Sequence, residues 1–258
     1  MITSLHNPKI QQIRALIGRK QARDEARAFV VEGVRLAEET LAAGWRPSLV
    51  LVSSELNERG RAVVAEFSNQ GVEVEKVDSH LFDSFSDTET SQGLLVVLSQ
   101  HILAIPEPLD FVLIADRVRD PGNLGTLLRS AAAAGVQAVL LGPGTVDVFS
   151  PKVVRSGMGA HFRLPIYNLD WQAMLKICHP RLKIYLAEAE SGTTCWQLDL
   201  RQPVALVVGG EADGAGPEAR QAADGQVKIP MPGKSESLNA AVAASILMFE
   251  IVRQRAGQ

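Results

Sequence analysis

The stretch "FVLIADRVRDPGNLGTLLRSAAAAG", residues 111–135, decides the fold of the second half of the chain. Its opening residues are all apolar over the length of a strand, so they predict a buried β-strand. Pro121, Gly122 and Gly125 then permit a tight turn, and an alanine-rich run that stops at Gly135 predicts a helix. A strand, a short loop and a helix in this order are typical of a parallel sheet, in which ligands bind beyond the carboxyl ends of the strands.

The same alternation continues on both sides of this stretch. After it, "AVLLGPG", "KIYLAEA", "PVALVVGGE" and "GQVKIPM" predict strands separated by helices, and "SLNAAVAASILMFEIVRQRAG" predicts a long closing helix. Before it, residues 1–100 predict a smaller α/β domain, and the prolines of "HILAIPEPLD" predict a linker over residues 101–109. The expected fold class is α/β, with a mostly parallel sheet over residues 110–258 and helices on both of its faces.

The composition excludes several classes of protein. The 258 residues are 46% hydrophobic and 21% charged with a net charge of −3, which excludes a chain that is mainly disordered or basic throughout. We expect no membrane span and no secretory signal, because long apolar runs are missing from the sequence, its N-terminus included. Cys178 and Cys195 form a poor disulfide framework and suit a reducing cytoplasm, and no Cys/His cluster has the spacing of metal ligands.

Positive charge is concentrated in residues 1–35, called here the basic segment, which carries a net charge of +4. Apolar residues between Pro8 and Arg27 recur at helical spacing, so the basic side chains lie on the other face of a predicted helix. Such a patch can dock a polyanion, and it can equally be an ordinary solvated helix face. The basic side chains that would contact such a polyanion include Lys9, Arg14, Arg19 and Lys20.

The loop after the strand of residues 111–116 holds the first motif, with Asn123 and Arg129 six residues apart. Asn123 is a good N-cap for the helix that follows. The Arg129 side chain is expected to point back toward the helix N-terminus, where it could reach a phosphate or a hydroxyl. The alternative is a capped helix with a surface arginine.

The second motif is "LVVGGEADGAGPE", in which a strand runs into Gly209, Gly210 and Glu211. The glycines would let a ligand lie against the main chain, and the Glu211 carboxylate could orient an amide or accept from a hydroxyl. The alternative is a glycine-rich turn with a solvated carboxylate. The pattern is not a dinucleotide-binding fingerprint, which disfavours a nucleotide-binding oxidoreductase.

The third motif is "IPMPGKSESLNAAVAASILMFE". Pro230 and Pro232 end a strand, and either Ser237 or Asn239 could cap the closing helix. By itself this motif is explained by a capped and tightly packed helix. The three motifs, however, all follow strands of one sheet, so we expect Asn123, Arg129, Glu211, Ser237 and Asn239 to converge on one catalytic site.

With these motifs the sequence resembles the SpoU/TrmH family of RNA ribose 2′-O-methyltransferases, within the SPOUT superfamily. The resemblance rests on "NLGTLLR", "GGEADGAG" and "IPMPGKSESLNAAVA" and covers residues 110–255 as the catalytic domain. It extends less closely over residues 1–100 as the RNA substrate-binding domain, through "FVVEGVRLAEE" and "TSQGLLVV". With RNA as the implied ligand, the candidate RNA-binding residues are Lys9, Arg14, Arg19 and Lys20. The tripeptide "SQG" departs from the His-Gln-Gly that related sequences often have.

The resemblance implies S-adenosylmethionine as the cofactor, a C-terminal trefoil knot and a homodimer with active sites near the subunit interface. Carried over by position, Gly209, Ile229 and Leu238 would hold the cofactor through main-chain groups. The implied reaction transfers the methyl group to a ribose 2′-hydroxyl. In the family Arg129 would take the proton of that hydroxyl, but a free guanidinium has a pKa above about 12. We therefore expect Arg129 to bind a phosphate and polarise the 2′-oxygen, and its action as a base stays open.

The expected substrate is ribosomal RNA, because the separate N-terminal domain resembles that of ribosomal RNA enzymes. Transfer RNA, a base rather than a ribose as the methyl acceptor, and a catalytically silent RNA-binding or ribosome-assembly protein are the alternatives. The sequence does not name the nucleotide.

Overall fold

The computed structural model describes residues 1–86, 91–211, 214–233 and 236–256. The strands are β1 (Ala28–Glu32), β2 (Leu49–Ser53), β3 (Val74–Val77), β4 (Leu94–Ser99), β5 (Phe111–Asp116), β6 (Ala138–Leu141), β7 (Ile166–Asn168), β8 (Lys183–Ala187), β9 (Thr193–Thr194), β10 (Val204–Gly209) and β11 (Gly225–Lys228). The helices are α1 (Pro8–Gly18), α2 (Lys20–Ala26), α3 (Val34–Ala42), α4 (Glu58–Asn69), α5 (Ser79–Asp83), α6 (Pro121–Ala133), α7 (Pro151–Gly157), α8 (Trp171–Cys178), α9 (Pro217–Ala222) and α10 (Ala240–Ala256). None of these described helices is long and apolar enough to cross a membrane.

The chain divides into two compact units, each built on its own sheet. Unit 1 comprises Met1–His101 and Asp147–Phe162, and unit 2 comprises Ile102–Val146 and Arg163–Gln258. Val154 of α7 and Phe162 belong to unit 1 because both are buried in the hydrophobic core that contains Phe29. The domain boundaries expected from the sequence, with a linker over residues 101–109, stay a prediction.

Unit 2 contains a sheet of seven strands in the order β7-β6-β5-β10-β8-β11-β9, and every pair of neighbours is parallel. All residues of β5 are buried, and so are those of β10 except Gly209, as expected for central strands covered on both faces. The predicted mostly parallel α/β sheet is confirmed. The trefoil knot that the resemblance implies stays a prediction.

The order of the strands decides where a ligand can bind in unit 2. From β5 the chain adds β6 and β7 on one side, and β10 lies on the other side in direct register, with Gly209 opposite Asp116. The loops that leave β5 and β10 therefore start side by side at the carboxyl edge of the sheet. A crevice forms at such a reversal of strand order.

Unit 1 contains a mixed sheet of four strands in the order β1-β4-β2-β3, in which β2 and β3 are parallel and the other neighbours are antiparallel. This confirms the small N-terminal α/β domain. The continuous helix expected over residues 8–27 is wrong in one respect, because Arg19 is extended and separates α1 from α2. Ile10, Ile13 and Leu16 are buried as the helical spacing predicts.

Candidate active site

Helix α6 begins at the carboxyl edge of the sheet, and Asp120 is its N-cap. The Asp120 side chain accepts from the backbone N–H of Asn123 at 2.7 Å. The expectation that Asn123 caps this helix is therefore wrong. Pro121 at the first helical position fixes the start of the helix one residue after Asp120, which places Asn123 inside the first turn. The Asn123 amide is thereby left available for contacts outside the helix.

Asn123, Glu211 and Asn239 form a hydrogen-bonded set called here the amide chain. Asn239 donates through Nδ2 to Asn123 Oδ1 at 2.9 Å, and Asn123 donates through Nδ2 to Glu211 Oε1 at 2.6 Å. Residues from all three sequence motifs, up to 116 positions apart, are thus in direct contact. The structure thus brings these three side chains together, as the sequence predicts.

The direction of donation along the amide chain is fixed by α10. Asn239 Oδ1 accepts from the backbone N–H groups of Ala241 at 2.9 Å and Val242 at 3.2 Å, so Asn239 caps this helix. Because its oxygen faces those donors, its amide nitrogen must face Asn123. The Asn123 oxygen then has to accept, and its nitrogen has to donate to Glu211. Glu211 is therefore held as a hydrogen-bond acceptor.

Next to the amide chain lies a cleft of about 450 Å³, called here the central cleft. Its walls come from the carboxyl ends of β8, β10 and β11 and from the start of α10. Gly209, Ile229 and Leu238, the three predicted cofactor-binding residues, all line it. Glu211, Ser237 and Asn239 line it as well. Four residues of motifs two and three lie outside the described residues: Ala212, Asp213, Lys234 and Ser235.

The two glycines of the second motif are required by the packing of the protein itself. A Cβ atom on Gly209 would lie 2.2 Å from the backbone nitrogen of Ala215, and one on Gly210 would lie 2.1 Å from the carbonyl oxygen of Arg117. Real Cβ atoms do not approach other atoms so closely. From the sequence, these glycines were explained by the approach of a ligand or by a turn. The structure shows that at both positions the main chain packs directly against another segment of main chain.

Arg129 is not part of the amide chain and does not line the central cleft. It lies on the exposed face of α6 and makes no hydrogen bond or ion pair with any described residue. The neighbouring residue Ser130 accepts a hydrogen bond from Ser245 of α10 at 2.7 Å, which joins these two helices. Of the five predicted catalytic residues, Glu211, Ser237 and Asn239 line the cleft, and Asn123 is hydrogen-bonded to two of these three. Arg129 lies at the surface.

Two acidic residues of this region were missed by the sequence analysis. Asp116 at the end of β5 is 1% exposed, and its carboxylate accepts from Trp171 Nε1 at 3.2 Å and from the backbone N–H of Gly216 at 2.7 Å. It therefore fixes the loop that forms one wall of the cleft. Glu188, which follows β8, lines the cleft and accepts a hydrogen bond from Arg220. A carboxylate directly after an apolar strand was the available signal for both.

The four candidate RNA-binding residues differ in their surroundings. Lys9 binds Glu73 at 2.6 Å and also Glu75, and these hydrogen bonds raise the pKa of Lys9. Arg14, Arg19 and Lys20 are exposed, and Lys20 lies 3.8 Å from Asp24. Two carboxylates thus offset the charge of Lys9, so the positive surface of α1 and α2 comes mainly from the other three side chains.

Arg23 of the basic segment has a structural role. Its side chain is buried, and it binds Asp147 at 2.6 Å and the carbonyl oxygen of Leu16 at 2.5 Å. A buried and paired arginine does not contribute a free charge to a surface patch. Among the described residues, no group of three or more His, Cys, Asp or Glu side chains could hold a metal ion.

Comparison with known proteins covers both units. Residues 110–249 match the SpoU rRNA Methylase family, and residues 7–96 match the MRM3-like substrate binding domain. The chain is 31% identical over 253 residues to the 23S rRNA (guanosine(2553)-2'-O)-methyltransferase RlmP of Bacillus subtilis, covering 97% of this chain and 98% of that protein.

Solved structures agree with the sequence relatives. An AdoMet-bound rRNA methyltransferase from Sinorhizobium meliloti superimposes with a TM-score of 0.86 at 31% identity, over 98% of this chain and 97% of that one. A structure concerned with the 2-OH methylation of C/U34 on tRNA aligns with 28% identity and a TM-score of 0.52, over 57% of this chain and 97% of that one. With its second half matching the family and full-length relatives above 30% identity, the chain belongs to the SpoU rRNA Methylase family.

Proposed function

We propose that this protein transfers a methyl group from S-adenosylmethionine to a ribose 2′-hydroxyl of ribosomal RNA. The observation that carries the proposal is the amide chain beside the central cleft, because it joins three separate motifs at the carboxyl edge of the sheet. Membership of the SpoU rRNA Methylase family and the relatives named for this reaction support it.

The central cleft fits S-adenosylmethionine in size and in chemistry. About 450 Å³ lies within the range of cofactor pockets, and the lining combines glycine main chain with the apolar side chains of Ile229, Leu238 and Leu247. When bound, the cofactor supplies a methyl group on a positively charged sulfonium. We assign Gly209, Ile229 and Leu238 to holding it.

The side chains around the cleft act mainly by positioning. Glu211 is held as an acceptor by Asn123, which is itself oriented by Asn239 and the start of α10. A fixed carboxylate at the rim can orient the incoming ribose, and Ser237 lies on the same rim. Holding the hydroxyl oxygen in line with the transferable methyl group supplies much of the rate in such a displacement.

Arg129 is assigned to the RNA side of the reaction. Its exposed guanidinium can bind the phosphate next to the reacting ribose and donate a hydrogen bond to the 2′-oxygen. A guanidinium has hydrogen-bond donors and no acceptor, so this role does not require Arg129 to accept a proton. Charge on the developing oxyanion is then stabilised by a group that stays protonated.

We further propose that the protein is a homodimer that pairs through α10. Val242, Ile246 and Phe249 are 47%, 39% and 48% exposed, and their spacing places them on one face of this helix. Leu238, 38% exposed, extends the same apolar stripe to the central cleft. A second copy of this face would cover the stripe and place two sites near one interface.

Ribosomal RNA is favoured over transfer RNA by the extent of the similarities. The rRNA methyltransferases of Bacillus subtilis and Sinorhizobium meliloti match nearly the whole chain, unit 1 included, whereas the tRNA-related structure matches 57% of it. Cys178 and Cys195 are free and buried, which suits a reducing compartment, so we place the reaction in the cytoplasm.

The proposal is tested by incubating the purified protein with tritiated S-adenosylmethionine and ribosomal RNA transcripts. We expect tritium in ribose, recovered as an alkali-stable dinucleotide. Arg129→Ala should abolish incorporation while cofactor binding persists. Arg201→Ala, which changes an exposed arginine paired with Asp199, is the matched control and should leave turnover unchanged. Cofactor binding without transfer to any RNA would favour the catalytically silent RNA-binding protein.

A further inference from the structure

The central cleft is acidic. Among its lining residues in the described part of the chain, only Glu188 and Glu211 are ionisable, and both are carboxylates. Glu211 is accounted for by its hydrogen bond from Asn123. Glu188 takes no part in the amide chain, so the proposed function leaves its presence in the cleft unexplained.

Glu188 lines the central cleft from the end of the strand between its two neighbours β10 and β11. It follows β8, and β8 lies in the sheet between β10, which carries Gly209, and β11, which leads to Ile229. Its backbone N–H donates to the carbonyl oxygen of Val227 at 3.0 Å, which fixes its main chain to the end of β11. Its main chain is therefore flanked on both sides by strands that lead to predicted cofactor-binding residues.

Arg220 of α9 orients the Glu188 carboxylate. The two side chains form an ion pair in which Glu188 is 19% exposed and Arg220 is 46% exposed. Arg220 does not line the cleft. Glu188 therefore lines the ligand space, and its counter-charge is the more exposed member of the pair, so that water and salt screen Arg220 more strongly.

The reaction changes the charge of the ligand in this cleft. In the net reaction the 2′-oxygen gains a bond to the methyl carbon, the sulfur–methyl bond breaks with its electron pair left on sulfur, and the hydroxyl proton passes to water. A sulfonium becomes a neutral thioether. With its ammonium and carboxylate groups unchanged, the ligand therefore goes from a net charge of +1 to zero.

We propose that Glu188 is a specificity-determining residue of the central cleft, whose carboxylate favours the cationic cofactor over the neutral product that remains after methyl transfer. The inference rests on the proposed function and adds a physical means of product release. A carboxylate in a partly enclosed cleft attracts the positively charged sulfonium. This attraction disappears once methyl transfer has turned the sulfonium into a neutral thioether. The competing explanation is that Glu188 and Arg220 only anchor α9 to the end of β8.

The test is calorimetric binding to three ligands without RNA: S-adenosylmethionine, S-adenosylhomocysteine, and the analogue in which a protonated amine replaces the methyl sulfonium. For Glu188→Gln we expect affinity for the two cationic ligands to fall about threefold to fivefold, and affinity for S-adenosylhomocysteine to change less than about twofold. For Arg220→Met, which removes the counter-charge, we expect affinity for the cationic ligands to rise by about twofold or more while the neutral ligand is again little affected.

The opposite signs of the two variants separate the proposal from the structural explanation. If the ion pair only anchors α9, both variants lose affinity for all three ligands together, and the proposal is overturned. Equal losses for cationic and neutral ligands in Glu188→Gln overturn it as well. A wild-type protein that binds none of the three ligands contradicts the proposed function, whereas binding of all three with unchanged selectivity in both variants contradicts only this inference. If Glu188→Gln does not fold, Arg220→Met still decides the question. Loss of this counter-charge must raise the affinity for the cationic ligands alone.

Discussion

His161 should make unit 1 less stable in mild acid. The side chain is 3% exposed, and its Nε2 lies 2.8 Å from the carbonyl oxygen of Val148. A carbonyl only accepts, so Nε2 carries the proton of the neutral ring. Nδ1 is buried and has no hydrogen-bond partner among the described residues, and the rings of Phe29 and Phe149 pack nearby. Charging the ring would place a second proton where nothing accepts it.

The size of the effect follows from the pKa of His161. Burial lowers this pKa from 6.5 to about 4, although the hydrogen bond to Val148 and the charge of Asp147 act in the opposite direction. The unfolded chain takes up the proton near pH 6.5 and the folded chain only near pH 4. The stabilising contribution of the neutral ring is therefore complete above the unfolded pKa and is lost as the pH falls toward the folded value. Between pH 7 and pH 5 the loss is about 2 kcal/mol in the free energy of unfolding.

The measurement is urea unfolding at pH 7 and at pH 5, for the wild type and for His161→Gln. Gln does not titrate, and its amide can still donate to Val148. Fluorotryptophan labelling gives Trp45 its own NMR signal, and this residue reports unit 1 because its ring lies 5.1 Å from that of Phe162. We expect the advantage of the wild type over the variant to shrink by about 2 kcal/mol between the two pH values. A difference that stays the same at both pH values would refute the reasoning.

Four further predictions concern unit 2 and the basic segment. Asn123→Ala removes the hydrogen bonds to Glu211 and Asn239, so kcat/KM for methyl transfer should fall about 10- to 100-fold while the fold stays intact. A change below about twofold in steady-state kinetics would disprove the positioning role of Asn123. Gly209→Ala forces a Cβ against the Ala215 backbone, which should cost about 1–3 kcal/mol in urea unfolding and weaken cofactor binding; a stable variant with normal affinity would contradict the packing. Phe249→Glu should yield monomers by analytical ultracentrifugation if the α10 stripe pairs two copies, and an unchanged sedimentation coefficient would argue against that interface. Reversing Arg14 and Arg19 to Glu should weaken RNA binding and reduce the slope of its salt dependence by about 2, whereas Lys9→Gln should have the smaller effect because Lys9 is already paired; equal affinities for all variants would remove this patch from RNA binding.

Local sequence patterns were sufficient to predict the parallel sheet and the convergence of the motifs. Buried runs such as "FVLIAD" and "PVALVVG" are apolar because central parallel strands are covered on both faces. Parallel strands end at one edge, so motifs that follow them have to meet there. This geometry needs only the order of strands and helices, and that order is visible in the periodicity of the chain.

The contacts that were missed depend on partners far away in the sequence. Asp116 binds Gly216, one hundred positions later, and Glu188 binds Arg220, 32 positions later. Nothing near Asp116 or Glu188 in the sequence names these partners. The start of α6 could have been predicted from local sequence. Pro121 favours the first helical position and therefore indicates Asp120 as the N-cap, but the capping preference of Asn123 was given more weight.

Local sequence patterns also could not predict the shortest helices and strands, or the unit to which residues 147–162 belong. Strand β9 has two residues and α5 has five, both too short for a periodic signal. Residues 147–162 continue the alternation of the second half, yet α7 packs on unit 1 because Val154 and Phe162 complete its core and Asp147 pairs with buried Arg23. Tertiary packing, not propensity, decides to which unit this segment belongs.

The most direct test of the central claim is to map 2′-O-methyl groups in ribosomal RNA from cells that lack this protein. At least one ribose in ribosomal RNA should lose its methyl group in these cells and regain it when the wild-type protein is returned. It should stay unmodified when Arg129→Ala is returned at equal protein abundance. Ribosomal RNA with every 2′-O-methyl group unchanged in the deficient cells would contradict the account.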